Sequence, residues 1–315
     1  VHPVVSLLSG LGLAAFGGEL FVRGVVGLAA WTRVPAGIAG ATLAAFATSS
    51  PELTVAINAA GAGMTGVSFG DALGSNVLNV GLVLGVSLLL GPIKESGQRM
   101  RRDFPVALAC PLVTGALVLD GDMSRWDAAV LLVVFATWLA LNVLHAMRHR
   151  DATVDTLGEK VGSRAVFECA VGLVALLTAG RLIVDGAVFV GQALGWSPMV
   201  VGATLVALGT SSPELATTVV SRLKGHDEVG LGTVLGSNIF NNLFIVGVAT
   251  SIHPFRAPLQ SSFIVLAAGF LVLLACFPQR DGAIPRWRGW GLIALYAAST
   301  ALLIATSPAD GTADR

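Results

Sequence analysis

Thr48-Ser49-Ser50-Pro51-Glu52-Leu53 and Thr210-Ser211-Ser212-Pro213-Glu214-Leu215 are the same six residues, set 162 positions apart. The match extends in both directions at that one offset. Upstream, Gly40-Ala41-Thr42-Leu43 returns as Gly202-Ala203-Thr204-Leu205. Further upstream, Gly18, Leu20, Val22 and Gly24 return as Gly180, Leu182, Val184 and Gly186. Downstream, Leu73-Gly74-Ser75-Asn76 with Asn79 returns as Leu235-Gly236-Ser237-Asn238 with Asn241. Matches this long at a constant offset mark an internal duplication, which governs how every other segment is read.

The medium in which the duplicated unit folds follows from composition. Of 315 residues, 54% are hydrophobic and 12% charged, against about 25% charged in a typical soluble domain. So few charges cannot cover that much apolar surface in water. The 38 glycines suit helices that approach closely in lipid. Net charge is zero, so no basic face for nucleic acid is expected. Cys110, Cys169 and Cys276 lie in apolar stretches and read as small packing residues. The first apolar run is far longer than a signal-peptide core, so no cleavable leader is expected. Val1 reads as a valine start codon or a trimmed chain.

A bilayer core needs about 20 apolar residues per helix. Ten stretches qualify, near 4–30, 36–61, 72–91, 104–119, 126–147, 164–194, 199–221, 229–252, 259–277 and 289–306. The longest connection, Met147 to Ser163, divides the chain into halves, 1–150 and 151–315. Arg23 and Arg181 fall inside spans. With ten crossings, 14 of the remaining 17 basic residues share one side, and only Arg125, Arg256 and Arg315 occupy the other. That asymmetry fits the positive-inside rule for a multi-pass plasma-membrane protein with both termini extracytoplasmic. Five spans per half leave the chain on the opposite side, so the second half starts inverted. The expected architecture is all-α, ten transmembrane helices as two inverted five-helix repeats forming one membrane unit. Transporters use this design, with the substrate site near the midplane where the repeats meet.

Glu52 and Glu214 fall in mid-span. A charged residue at the bilayer centre costs roughly 2.5–3.5 kcal/mol even on the lenient scale. Neither has a basic residue within helical reach. A protonated structural pair is the bland explanation. A bound cation explains better why the costly residue recurs at the equivalent position. Pro51 and Pro213 lack an N–H, which frees the carbonyls of Ala47 and Gly209. Thr48, Ser49, Thr210 and Ser211 place hydroxyls one turn before each glutamate. Ser75 and Asn79, and Ser237 and Asn241, lie four apart on one face of the third and eighth helices. Carboxylate, carbonyl and hydroxyl oxygens in this mixture suit a hard cation such as calcium. Two carboxylates balance one divalent ion or two sodium ions. With no histidine or cysteine among these residues, a soft-metal site is disfavoured.

Two further pairs stand out. Glu19 and Arg23, and Arg181 and Asp185, are each four apart at the repeat offset with signs exchanged. They read either as buried structural pairs or as gate contacts between mobile helices. Asp71 and Glu168 lie near span ends and are expected to be solvated.

The duplicated Thr-Ser-Ser-Pro-Glu and Gly-Ser-Asn segments resemble the alpha-repeats of the sodium/calcium exchanger family, within the cation/calcium antiporter superfamily. In this chain they are Gly40–Leu53 with Gly70–Gly85, and Gly202–Leu215 with Gly232–Gly247. The resemblance is to the prokaryotic type, because Met147 to Ser163 is too short for a calcium-sensing regulatory domain. It implies that Glu52 and Glu214 are the main calcium ligands and shared sodium ligands. It further implies oxygens from Thr48 and Thr210, and backbone carbonyls from Ala45 and Ala207. Ser49, Ser211, Ser75 and Ser237 would line sodium sites, and Asn79 and Asn241 would complete the centre. The first and sixth helices would slide as a pair against the rest. Asn241 departs from several prokaryotic and potassium-dependent relatives, which carry Asp there, and this points away from potassium dependence.

The function expected is sodium/calcium antiport by alternating access, with no enzymatic activity and no cofactor, the ions being cargo. Sequence alone leaves the oligomeric state open. A cation/proton antiporter is the nearest alternative, disfavoured by the hydroxyl-rich motif. A channel could use symmetric carboxylates but has no need of inverted repeats. An intramembrane hydrolase would need a mid-span base, and His2, His145, His149, His226 and His253 all lie near span ends or in loops.

Overall fold

The computed structural model describes residues 3–31, 46, 48–94, 98–148, 162–223, 227–279 and 282–306. Ala45, Ala47, the start of the second expected span and residues 149–161 between the halves lie outside the described residues.

The described residues are helical almost throughout. Helix α1 (Pro3–Trp31) is followed by α2 (Ser50–Gly61), α3 (Thr65–Leu78) and α4 (Gly85–Leu89), then α5 (Gln98–Val118) and α6 (Arg125–Arg148). The second half runs α7 (Gly162–Leu194), α8 (Pro198–Val201), α9 (Ala207–Thr210), α10 (Ser212–Leu223), α11 (Asp227–Ile239), α12 (Val246–Ile252), α13 (Leu259–Ala275) and α14 (Trp287–Thr306). Three π-helical segments, Asn79–Leu84, Gly202–Val206 and Phe240–Ile245, join α3 to α4, α8 to α9 and α11 to α12. Six of these helical stretches are long and apolar enough to cross a membrane; the bent pair Pro198–Thr210 and Ser212–Leu223, meeting at 43°, makes a seventh if it is one span.

Thr65–Leu89 and Val229–Ile252 are the inner spans, with 83% of each apolar window buried. The outer helices α1, α6, α7 and α14 turn apolar side chains such as Leu8, Val133, Phe167 and Leu302 outward, as a lipid-facing surface requires. Exposed Trp126, Trp287 and Trp290 stand in the first turns of α6 and α14, where amphipathic rings meet a membrane–water interface.

Glycine allows the close helix contacts. Along the α1–α7 pair, a Cβ on Gly24 would lie 2.3 Å from the Cys169 nitrogen, and one on Gly172 would lie 2.5 Å from the Phe21 nitrogen. At the centre, α3 presses on α8 and the Gly202–Val206 segment. A Cβ on Gly70 would lie 2.3 Å from the Met199 carbonyl oxygen, and one on Gly74 would lie 2.3 Å from the Ala203 Cα. In lipid, helices gain little from hydrophobic exclusion, so backbone-to-backbone packing of this kind holds them together.

Four two-residue strands tie the helix ends. β1 (Ile93–Lys94) pairs with β4 (Ala283–Ile284), and β2 (Asp122–Met123) pairs with β3 (Phe255–Arg256), both antiparallel. β1 and β3 are related by the 162-residue offset, so each half lends one strand to the other. Phe135, Phe240 and Phe244 form an aromatic cluster where α6 meets the Phe240–Ile245 segment, with Phe240 stacked on Phe244 at 4.8 Å between centroids.

Candidate functional site

The two Ser-Ser-Pro-Glu segments shape the centre through their backbone. The helix stops at Ser49 (φ −87°, ψ 13°) and again at Ser211 (φ −81°, ψ 10°), and α2 and α10 restart one residue later. Pro51 and Pro213 are then the second residue of a new helix, where a missing N–H has no partner to lose. Glu52 and Glu214 fall in the first turn, where the positive end of the helix dipole favours a carboxylate. The carbonyl of Gly209, in the last turn before that break, does not stay free: the Ser212 hydroxyl donates to it at 2.7 Å.

Side chains then cross between the halves. Ser49 Oγ donates to Glu214 Oε1 at 2.9 Å, and its repeat-mate Ser211 Oγ donates to Glu52 Oε1 at 3.1 Å. Ser237 Oγ adds a second bond to Glu214 Oε1 at 3.1 Å and lies 3.4 Å from Thr48 Oγ1. Both glutamates are fully buried, and each keeps its Oε2 without a partner. Thr210 Oγ1 has the Val206 carbonyl oxygen at 3.1 Å as one of the alternative acceptors for its single proton. The Ala207 carbonyl accepts from the Ser211 amide at 3.0 Å.

The asparagines form the adjoining layer on the α3 and α11 side. Asn79 Nδ2 donates to Asn238 Oδ1 at 3.2 Å, and Asn238 Nδ2 to the Asn76 carbonyl at 3.1 Å. Asn79 Oδ1 and both polar atoms of the Asn241 side chain are buried without partners. Asn79 opens one π segment and Asn241 is second in another; π segments widen the helix and often mark functional positions. Thr48, Ser49, Glu52, Ser75, Asn79, Ala207, Thr210, Ser211, Glu214, Ser237 and Asn241 are thus all buried, while Ala45 lies outside the described residues.

Two expectations about charge are overturned. Asp71 is not solvated. Helix α3 begins at Thr65, several residues before the expected span, and carries Asp71 into the interior, where it is fully buried. It accepts from Thr210 Oγ1 at 3.0 Å and from Ser75 Oγ at 3.5 Å, and its Oδ2 has no partner. Glu168 is also buried, because α7 starts at Gly162 and packs on α1 at Cys169; Arg164 Nε bonds it at 3.0 Å. The Glu19–Arg23 pair forms within α1, yet both side chains are more than half exposed, so it is not a buried pair. Arg181 and Asp185 are exposed, and no ion pair joins them among the described residues.

Unpaired carboxylate oxygens in a dry interior, ringed by hydroxyl and amide oxygens, are what a hard cation needs. Among the described residues, no three acidic, histidine or cysteine side chains converge as a metal site by themselves.

Fold and site together define a polytopic helical membrane protein with a buried, acidic, oxygen-lined centre. The sodium/calcium exchanger protein family is matched over residues 2–144 and 165–305, and the chain belongs to that family. Among its relatives, the sodium/calcium exchanger MaX1 of Methanosarcina acetivorans is 27% identical, over 94% of this chain and 97% of that one. The inner membrane protein YrbG of Escherichia coli (strain K12) is 30% identical over 79% of each chain. A solved structure of the sodium-calcium exchanger NCX_Mj, soaked with sodium and strontium, superposes with a TM-score of 0.67 at 30% identity, covering 95% of this chain and 97% of that one. Exchange of cations including calcium is the activity of the family.

Proposed function

We propose that this chain is a secondary antiporter that exchanges sodium for calcium by alternating access at a midplane site. One observation carries the reading: the reciprocal Ser49–Glu214 and Ser211–Glu52 bonds, each leaving a carboxylate oxygen buried and unpaired. Glu52 and Glu214 face one another across the duplication, and a calcium ion or two sodium ions neutralise them. The remaining ligands are the hydroxyls of Thr48, Ser49, Thr210, Ser211, Ser75 and Ser237, the Asn79 and Asn241 amides, and the Ala45 and Ala207 carbonyls. Both ions need the same two carboxylates, so binding of one displaces the other. An empty site leaves two uncompensated charges in low dielectric, which costs several kcal/mol per ion. The loaded states are thereby favoured for the access change, and that coupling makes an exchanger rather than a leak.

In this reading the chain forms two inverted five-helix repeats, 1–150 and 151–315, as one ten-span unit in the plasma membrane. With ten crossings, the 14-to-3 division of basic residues supports both termini lying outside the cytoplasm; a pH-sensitive reporter fused at the C-terminus tests this, and a cytoplasmic signal would refute it. The exchange itself is tested by radioactive calcium uptake into proteoliposomes loaded with sodium, with potassium and proton gradients as separate arms. Uptake that requires internal sodium is expected. Uptake driven by a proton gradient alone would replace sodium by protons in this account, and uptake without any counter-ion would replace exchange by a channel.

A further inference from the structure

Among the described residues three carboxylates, Glu52, Asp71 and Glu214, are fully buried, and the duplication explains two of them. Glu52 and Glu214 are equivalents, but Asp71 has no acidic counterpart. At the equivalent position, 162 residues on, stands Thr233, whose hydroxyl turns back to the Val229 carbonyl of its own helix at 2.9 Å. Asp71 instead receives the Thr210 and Ser75 hydroxyls on Oδ1. Its Oδ2 is buried with no partner, and no ion pair among the described residues includes it. The backbone there has little freedom, because a Cβ on facing Gly202 would lie 2.8 Å from the Asp71 nitrogen. A carboxylate held dry with one oxygen unbonded is costly unless a cation completes it.

We propose that Asp71 is a further cation ligand, forming with Thr210 and Ser75 a subsite for a monovalent cation, filled by sodium, beside the Glu52/Glu214 centre. The proposal rests on the exchange reading and adds a residue to it. Charge selects the ion. Calcium at the two glutamates leaves their net charge at zero, and Asp71 then needs one more positive charge. Among the described residues no three acidic side chains make up a metal-holding group, and in this proposal Asp71 holds its own ion beside the glutamate pair. One carboxylate and two hydroxyls give a hard-oxygen surface carrying a single negative charge, which matches sodium. The chain thereby acquires on α3 a carboxylate that the second half lacks at the equivalent position of α11, where Thr233 is neutral.

The test uses Asp71→Asn, which keeps the size of the side chain and an acceptor for Thr210, and Asp71→Thr, which copies the residue of the second half. The full chain in detergent is titrated with sodium chloride, against choline chloride at equal ionic strength, and separately with calcium chloride; the readout is the thermal midpoint. In both variants the sodium concentration for half-maximal stabilisation is expected to rise by about tenfold or more. The calcium concentration is expected to change by less than about threefold. A merely structural aspartate would shift the two titrations together, and that result overturns the proposal, as does no shift in either. If the wild type gains no stability from sodium, the proposal falls along with sodium exchange. If the wild type responds and the variants respond alike, Asp71 falls and sodium exchange stands.

Discussion

Glu214→Gln is the substitution whose effect the site geometry specifies most closely. The amide oxygen of glutamine still accepts from Ser49 and Ser237, which bond Glu214 Oε1 at 2.9 and 3.1 Å. The amide nitrogen takes the place of Oε2, the atom without a partner. Packing and the hydroxyl bonds are therefore kept. A unit of negative charge is lost, and an N–H is aimed at the place a cation occupies. Removing one member of a buried charge pair costs about 3–5 kcal/mol. At 1.4 kcal/mol per decade, calcium affinity falls between about a hundredfold and several thousandfold. Calcium uptake into sodium-loaded proteoliposomes, measured over a range of calcium concentrations, reads this loss; circular dichroism and gel filtration report the retained fold. Uptake within about threefold of wild type by a correctly folded variant would remove Glu214 from the ion site and break the symmetry argument built on it.

Asn241→Asp places another ionisable group among the buried carboxylates, at a position whose amide has no partner; transport becomes more pH-dependent, with uptake falling more steeply toward acid than in the wild type, and an unchanged pH profile would place Asn241 outside the site. Gly24→Ala forces α1 and α7 apart at Cys169, where the new Cβ would lie 2.3 Å from a backbone nitrogen. Overpacking of this kind costs about 1–3 kcal/mol and lowers the thermal midpoint in detergent. Gly12→Ala meets nothing within 4 Å and leaves that midpoint where it was. Arg222 pairs with Asp227 and donates to the Pro92 carbonyl at 2.8 Å, tying α10 to the turn before β1; Arg222→Gln removes the charge from both contacts and lowers stability by about 1–3 kcal/mol, measured by the same thermal assay.

The membrane class and the placement of most helices were legible because the signals are local. Apolar runs set α1, α6, α7 and α14 within a residue or two of where they lie. Proline and glutamate at a fixed spacing marked where two helices stop and restart. The π segments were not legible. A π turn exists only because the surrounding helices accept the extra width, and no local pattern in Asn79–Leu84 or Phe240–Ile245 specifies that acceptance. The start of α3 was also missed. The expected span began near 72, which put Asp71 at its end; glycine and aspartate, as at Gly66, Gly70 and Asp71, disfavour a helix in isolation. In the fold, Gly70 permits the approach of α3 to α8, so tertiary packing overrides local preference.

That miss shows what a reading based on repetition cannot find. The duplication singled out Glu52 with Glu214, Ser49 with Ser211 and Ser75 with Ser237, and those residues do gather in one buried region. It gave no reason to examine Asp71, because the equivalent residue is Thr233. A signal was nonetheless present: Asp71, Ser75 and Asn79 are spaced four apart, on one face of a helix, so an aspartate sharing the face of two site residues belonged with them. A symmetric pair of carboxylates accounts for a site that binds calcium or two sodium ions with equal charge. An exchanger, however, must respond differently to its two cargoes, and two identical half-sites supply no difference between them. Among the fully buried carboxylates of the described residues, Glu52, Asp71 and Glu214, the difference between the halves lies at Asp71, whose carboxylate has no match in the second half.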